Sequence, residues 1–356
     1  MNAQFFHDDS VVRIPRRNAE LEMFRFIAAA AIVLFHLGVC SGGLLAVDFF
    51  FILSGALMAR SLIFSDRVRR ERIEVTAFII RKVKVFYPEL IAAVFMALPV
   101  HLIREDITTF LHRFFYAFIN EVCLLRMTAL CSHPAEGVCP PAWFLSSMVV
   151  AMVVVYPVIK YVRNPVMLLV SGCLICGYLV HYAGGLIGGS AFDWYAVTYS
   201  GNIRAVGDFM LGAATCHAAE FLKNKDVSHL LAQFLTILKY AAMALLLVML
   251  SVRYLPVEPA ILLLCMIVIG CCLSGKCWEP KGKCWYQISA ILGRISLPLF
   301  LAHWPLVHVQ TTLRAISFVR DMHMVYPLLL LLLIVLVLIV HIVAYYLRKF
   351  CGIVCR

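Results

Sequence analysis

Residues 23–40 read MFRFIAAAAIVLFHLGVC, and this stretch decides what kind of chain this is. Apart from Arg25 and His36, every side chain in it is apolar, small or a cysteine, over close to the ~20 residues that cross a bilayer as a helix. The two exceptions stand eleven positions apart. At about 1.5 Å and about 100° per residue, that spacing separates them by about 16 Å along the axis and leaves them within about 20° of one face. Ionisable groups in hydrocarbon are costly and mark function by default. On that reading, the cation holds the head of an anionic cofactor near one surface and the imidazole handles protons deeper in. The alternative is a snorkelling arginine with a hydrogen-bonded core histidine.

Composition places the rest of the chain in the same class. Of 356 residues, 63% are hydrophobic and 14% charged, and the mean hydropathy is +0.92, outside the range of soluble domains. Further apolar stretches fall at 43–63, 84–103, 142–162, 165–183, 204–222, 230–251, 257–275, 289–311 and 325–347, so the expectation is an all-α polytopic bundle of about ten membrane helices. Residues 1–22 read as a cytoplasmic N-terminal segment, 23–347 as the membrane domain and 348–356 as a cytoplasmic tail. Arg13, Arg16 and Arg17 precede the first span, and no signal peptide is expected.

The net charge of +11 does not call for a nucleic acid. The cations cluster in short loops on one side: Arg67, Arg69, Arg70, Arg72, Arg81, Lys82 and Lys84, then Arg163, Lys223 and Lys225, then Lys276, Lys281 and Lys283, then Arg348 and Lys349. This is the positive-inside pattern. The stretch 204–222 is the weakest span, because it contains Arg204, Asp208, His217 and Glu220; it is either functional or partly interfacial.

Most of the fourteen cysteines lie in apolar spans and behave as small hydrophobes. Cys123, Cys131 and Cys139 fall in the expected outer loop, where a Cys131–Cys139 bridge fits an oxidising compartment. A zinc site there is the weaker reading, since no closely spaced ligand pair is present, and no metal is expected.

Four blocks in order resemble the membrane-bound acyltransferase family called acyltransferase 3. The first is Glu22, Arg25 and His36 at their spacing, and the second is AVDFFFILSGALMAR at 46–60, matching at Asp48, Phe49, Phe50, Ser54 and Gly55. The third, FIIRKVKVFYP at 78–88, fits at Phe78, Arg81, Lys82 and Pro88, while Val85 stands where the family has a further arginine. The fourth, LGRISLPLFLAHWPLV at 292–307, fits at Gly293, Ser296, Leu301, His303 and Pro305. A fifth, PAWFLSSMVVAMVVVYP, is partial: Trp143, Phe144 and Leu145 fit, and Met148 occupies the place of a glutamate.

The resemblance implies transfer of an acyl group, most often acetyl, from cytoplasmic acyl-CoA to a hydroxyl of a carbohydrate or lipid-linked glycan, in a bacterial-type inner membrane. A sugar hydroxyl is a poor nucleophile near neutral pH, so a positioned base has to take its proton. His36 is assigned that role. Asp48 either orients the His36 ring, as a triad carboxylate does, or simply starts a helix at the interface. Coenzyme A phosphates call for Arg25, Arg81 and Lys82; the run 67–72 reads as topology. Trp143 stacks on a sugar or belongs to an aromatic belt, and Arg204 meets substrate or marks a membrane boundary. His303 contacts substrate or is a core histidine. The partners expected are acyl-CoA, the glycan acceptor and membrane lipids. A transporter or flippase for lipid-linked glycans is the other reading, because a bundle with buried charge also describes a solute pathway.

Overall fold

The computed structural model describes residues 18–64, 74–187, 189–253, 255–315 and 322–352. Helix α1 (Ala19–His36) starts at Asn18, whose side chain accepts from the Leu21 N–H, and carries Glu20 and Glu22 in its first turn, where the helix dipole favours anions. It stops where Gly38 takes φ 76°, a conformation that costs glycine little. There follow α2 (Ala46–Ile63), α3 (Val75–Arg104), α4 (Trp143–Pro157), α5 (Pro165–Ala183), α6 (Ser200–Lys223), α7 (His229–Ser251), α8 (Ala260–Ser274), α9 (Lys283–Ala302), α10 (Trp304–Ala315) and α11 (Met322–Phe350). The only strands among the described residues are the pair Trp194–Tyr195 and Thr198–Tyr199.

A helix lies at every one of the apolar stretches. Seven, among the described residues, are long and apolar enough to cross a bilayer. Those are Gly43–Ile63, Val75–Arg104, Pro140–Val162, Pro165–Ala183, His229–Ser251, Lys283–Ala302 and Tyr326–Phe350. Of the others, α1 carries Glu20, Glu22 and Arg25, α6 is polar, and α8 has only fifteen residues.

Two expectations need correction. The stretch 289–311 is not one helix: α9 ends at Ala302 and α10 begins at Trp304. The reason is Pro305, which has no N–H to give to the Leu301 carbonyl and stands at the second position of α10, in the first turn of a helix, where that N–H would have no partner within the helix. The Cys139 thiol donates to that same carbonyl at 3.7 Å. Second, Cys131 and Cys139 are both free and buried, so the anticipated bridge is not formed.

Helix α6, ranked weakest from sequence, sits at the centre, packed against α2, α4, α5 and α8. Gly55 of α2 lies against the Phe209 carbonyl of α6, and Gly212 of α6 against the Ile52 carbonyl of α2; a Cβ at either would strike backbone. Such contact lets helices approach closely where no hydrophobic force drives them together in lipid. Helix α1 packs chiefly on α9, and α11 on α3 and α9.

At the end of the bundle where α3 finishes, residues 105–142 fold over the helices. Asp106 caps the short helix Ile107–His112 by accepting from the Thr108 and Thr109 N–H groups at 3.0 and 3.1 Å. A buried Glu121–Arg126 pair at 2.7 Å holds the following loop. Arg126 also donates to the carbonyls of Pro134, Cys139 and Pro140, and the Cys139 N–H donates to Glu121. The fold spends a desolvated ion pair on this cover, offset by the three carbonyls that Arg126 Nε and Nη1 reach, while Arg126 Nη2 has no partner among the described residues.

Candidate active site

Helix α1 presents Arg25 and His36 towards opposite ends. Arg25 stands in the second turn and pairs with Glu22 one turn back, Nη1 to Oε2 3.1 Å. The Glu22 carboxylate is buried against α9, where Gly293 leaves the room: a Cβ there would run into the carboxylate. This is the physical content of a glycine at that place in the closing block.

His36 occupies the last turn. Its ring stacks on His303 with centroids 5.0 Å apart and planes 27° from parallel. Trp304 meets it edge-on at 5.7 Å, and Trp304 in turn meets His308 edge-on at 5.5 Å. The α9–α10 break places these rings, because His303 is the residue at the corner and is fully buried. His303 Nδ1 lies 2.6 Å from the Phe300 carbonyl, which only accepts, so Nδ1 carries the proton and Nε2 presents a lone pair. Gln310 of α10 donates to the Leu37 carbonyl at 2.9 Å, tying the far side of the corner to the end of α1. His303 Nε2, Trp304 Nε1 and His308 Nε2 are buried without a hydrogen-bond partner among the described residues.

Asp48 is elsewhere in the network. Both its oxygens accept from Arg204 of α6, each at 2.7 Å, and Arg204 also donates to the Leu44 carbonyl at 3.0 Å. The carboxylate expected to orient His36 and the arginine expected to meet substrate are thus bound to each other, a fully desolvated fork joining α2 to α6. Ser54 donates to the Met148 sulfur at 3.9 Å, so the position where relatives carry a glutamate is packed by a thioether here.

Of the proposed phosphate ligands, Arg81 is exposed on the second turn of α3, and Lys82 is half-buried with its ammonium 5.5 Å from the Phe78 ring centroid. The run Arg67, Arg69, Arg70 and Arg72 lies outside the described residues. Sequence reasoning missed Arg348. From α11, it donates to the Val85 carbonyl at 3.3 Å and pairs with the buried Glu89, so a guanidinium covers the place where Val85 departs from the family. Nothing in the sequence links residues 263 apart; the only signal was the gap at 85 itself. Trp143, at the start of α4, is half-buried between Phe51 and Phe192, with centroids 6.4 Å away in both cases.

These elements together are those of a membrane-embedded acyl-transfer enzyme. Residues 18–346 match the family model described as an acyltransferase domain, which is most of the 356-residue chain. The chain belongs to that family, acyltransferase 3, and is a helical membrane acyltransferase. No curated protein and no solved structure matches the chain significantly.

Proposed function

We propose that the chain moves an acetyl or other short acyl group from coenzyme A to a hydroxyl of a cell-surface carbohydrate or lipid-linked glycan. The observation that carries this reading is helix α1, with a cation at one end and, at the other, an imidazole set in a corner of polar rings. Arg25, Arg81 and Lys82 hold the phosphates of the donor by charge-assisted contacts. The acceptor hydroxyl attacks the thioester carbonyl, His36 takes its proton, and the departing thiolate takes that proton away. No acyl-enzyme is needed for the step to balance. The fold crosses the inner membrane about ten times with both termini cytoplasmic, a topology supported by the basic residues beside its helices.

The test is release of free coenzyme A thiol from acetyl coenzyme A by the purified protein in detergent, where no gradient exists, with the acetyl group passing to an added carbohydrate hydroxyl or to water. Thiol release is expected, and His36→Ala is expected to lower it by about a hundredfold to ten-thousandfold, the range for loss of a general base, while the variant still purifies as folded protein. Movement of lipid-linked glycan in liposomes with no thioester consumed overturns the proposal in favour of a flippase.

A further inference from the structure

Three buried ring nitrogens without partners among the described residues lie along one run of ring contacts, in which His303 and Trp304 touch His36 and His308 touches Trp304, and they call for an occupant. Their hydrogen-bonding sense is fixed by what the rest of each ring does. Trp304 Nε1–H can only donate. His308 accepts at Nδ1 from the Arg104 guanidinium at 3.2 Å, which leaves the proton on Nε2, a second donor. His303 donates from Nδ1 to the Phe300 carbonyl and so offers a lone pair at Nε2. The two donors suit a carbonyl oxygen gaining charge.

Resting on the acyl-transfer reading above, we propose that Trp304 is a catalytic residue whose indole N–H donates to the thioester carbonyl oxygen, with His308 as the adjoining donor. In the step, the hydroxyl oxygen bonds to the carbonyl carbon and its proton passes to His36. The carbonyl π electrons move onto oxygen, where the Trp304 N–H meets the charge. Collapse re-forms the carbonyl and breaks the carbon–sulfur bond, and the thiolate leaves with the proton from His36. Donors set in advance at a water-poor corner act where charge develops and need no reorganisation as it does so.

The indole ring also packs edge-on against His36, so the N–H has to be separated from the ring that carries it. Three variants of the full chain do so: Trp304→Phe, Trp304→His, and tryptophan 304 replaced by its benzothiophene isostere, which keeps the shape and removes only the N–H. Thiol release from acetyl coenzyme A is measured for each in detergent. The isostere and Trp304→Phe are expected to lose about a hundredfold to a thousandfold in kcat, as for removal of one oxyanion donor, with KM for acetyl coenzyme A little changed. Trp304→His, which returns an N–H, is expected to recover part of the loss. An isostere that turns over as fast as the wild type overturns the assignment and leaves Trp304 as packing for His36. That outcome is distinct from failure of the underlying reading, in which the wild type itself releases no thiol.

Discussion

Gly293 shows how much one missing Cβ can hold. The Glu22 carboxylate fills the space beside it on α9, so Gly293→Ala forces α1 and α9 apart at the residue that pairs with Arg25. Overpacking of this kind costs about 1–3 kcal/mol. A lower melting temperature in detergent is expected, and Glu22→Ala in the same chain should recover most of it; additive losses would show that the two sites do not share the clash. Cys277 offers a titration in the loop after α8. A hydrogen bond from the Cys271 thiol pulls the Cys277 thiol down to about 7, and the Lys239 ammonium pulls in the same direction. The thiolate is the nucleophile, so it accumulates above the lowered value and is lost as pH falls through it. Alkylation of Cys277 by iodoacetamide should therefore reach half its maximal rate near pH 7, against about 8.5 for an ordinary thiol. Cys271→Ala should move the midpoint upward. A midpoint near 8.5 in the wild type would mean that the bond is not made.

Among the elements, α6 was read as the weakest span, either functional or partly interfacial, without its central place, and α9–α10 was half-read. Hydropathy averages along a segment and is blind to partners across space. Arg204 is costly in hydrocarbon only until Asp48, 156 residues away, neutralises it with two hydrogen bonds. Removing one member of such a pair leaves a bare charge in the bundle, at about 3–5 kcal/mol. Arg204→Ala is expected to yield little folded protein, while Asp48→Asn combined with Arg204→Gln should melt closer to the wild type than Arg204→Ala does. If Arg204→Ala melts like the wild type, Asp48 is neutralised by another route and its pairing is not what joins α2 to α6. The corner after α9 was visible as Pro305 within an apolar run long enough to read as one span. Length won that reading, and the geometry shows why it should not have: the proline leaves a carbonyl unpaired, and a cysteine from the covering loop takes it.

For the whole molecule, the class was legible because composition and span length alone demand a helical membrane protein, and His36 and Arg25 stood out because charge inside hydrocarbon is rare. What joins them to the rest was not legible. The His303 and Trp304 rings reach His36 only through the chain's return at α9, and Arg348 reaches Val85 only through α11. These are tertiary facts with no local signature. One consequence follows from α1 running as a single helix from Ala19 to His36 without a proline or a glycine. Under the proposed function, with Arg25 as the phosphate-binding cation at one mark and His36 as the proton acceptor at another, this rigid rod is a ruler that measures the donor. Only a thioester whose arm spans the interval touches both marks at once. S-acetyl-N-acetylcysteamine keeps the reacting bond and drops the phosphates, so it should be turned over with a much lower kcat/KM than acetyl coenzyme A, and Arg25→Gln should harm the full-length donor while leaving the short one untouched. Equal sensitivity of both donors to Arg25→Gln would mean that the arginine holds the helix and not the cofactor. If the ruler holds, this enzyme selects its acyl donor by the length of the handle rather than by the acyl group it carries.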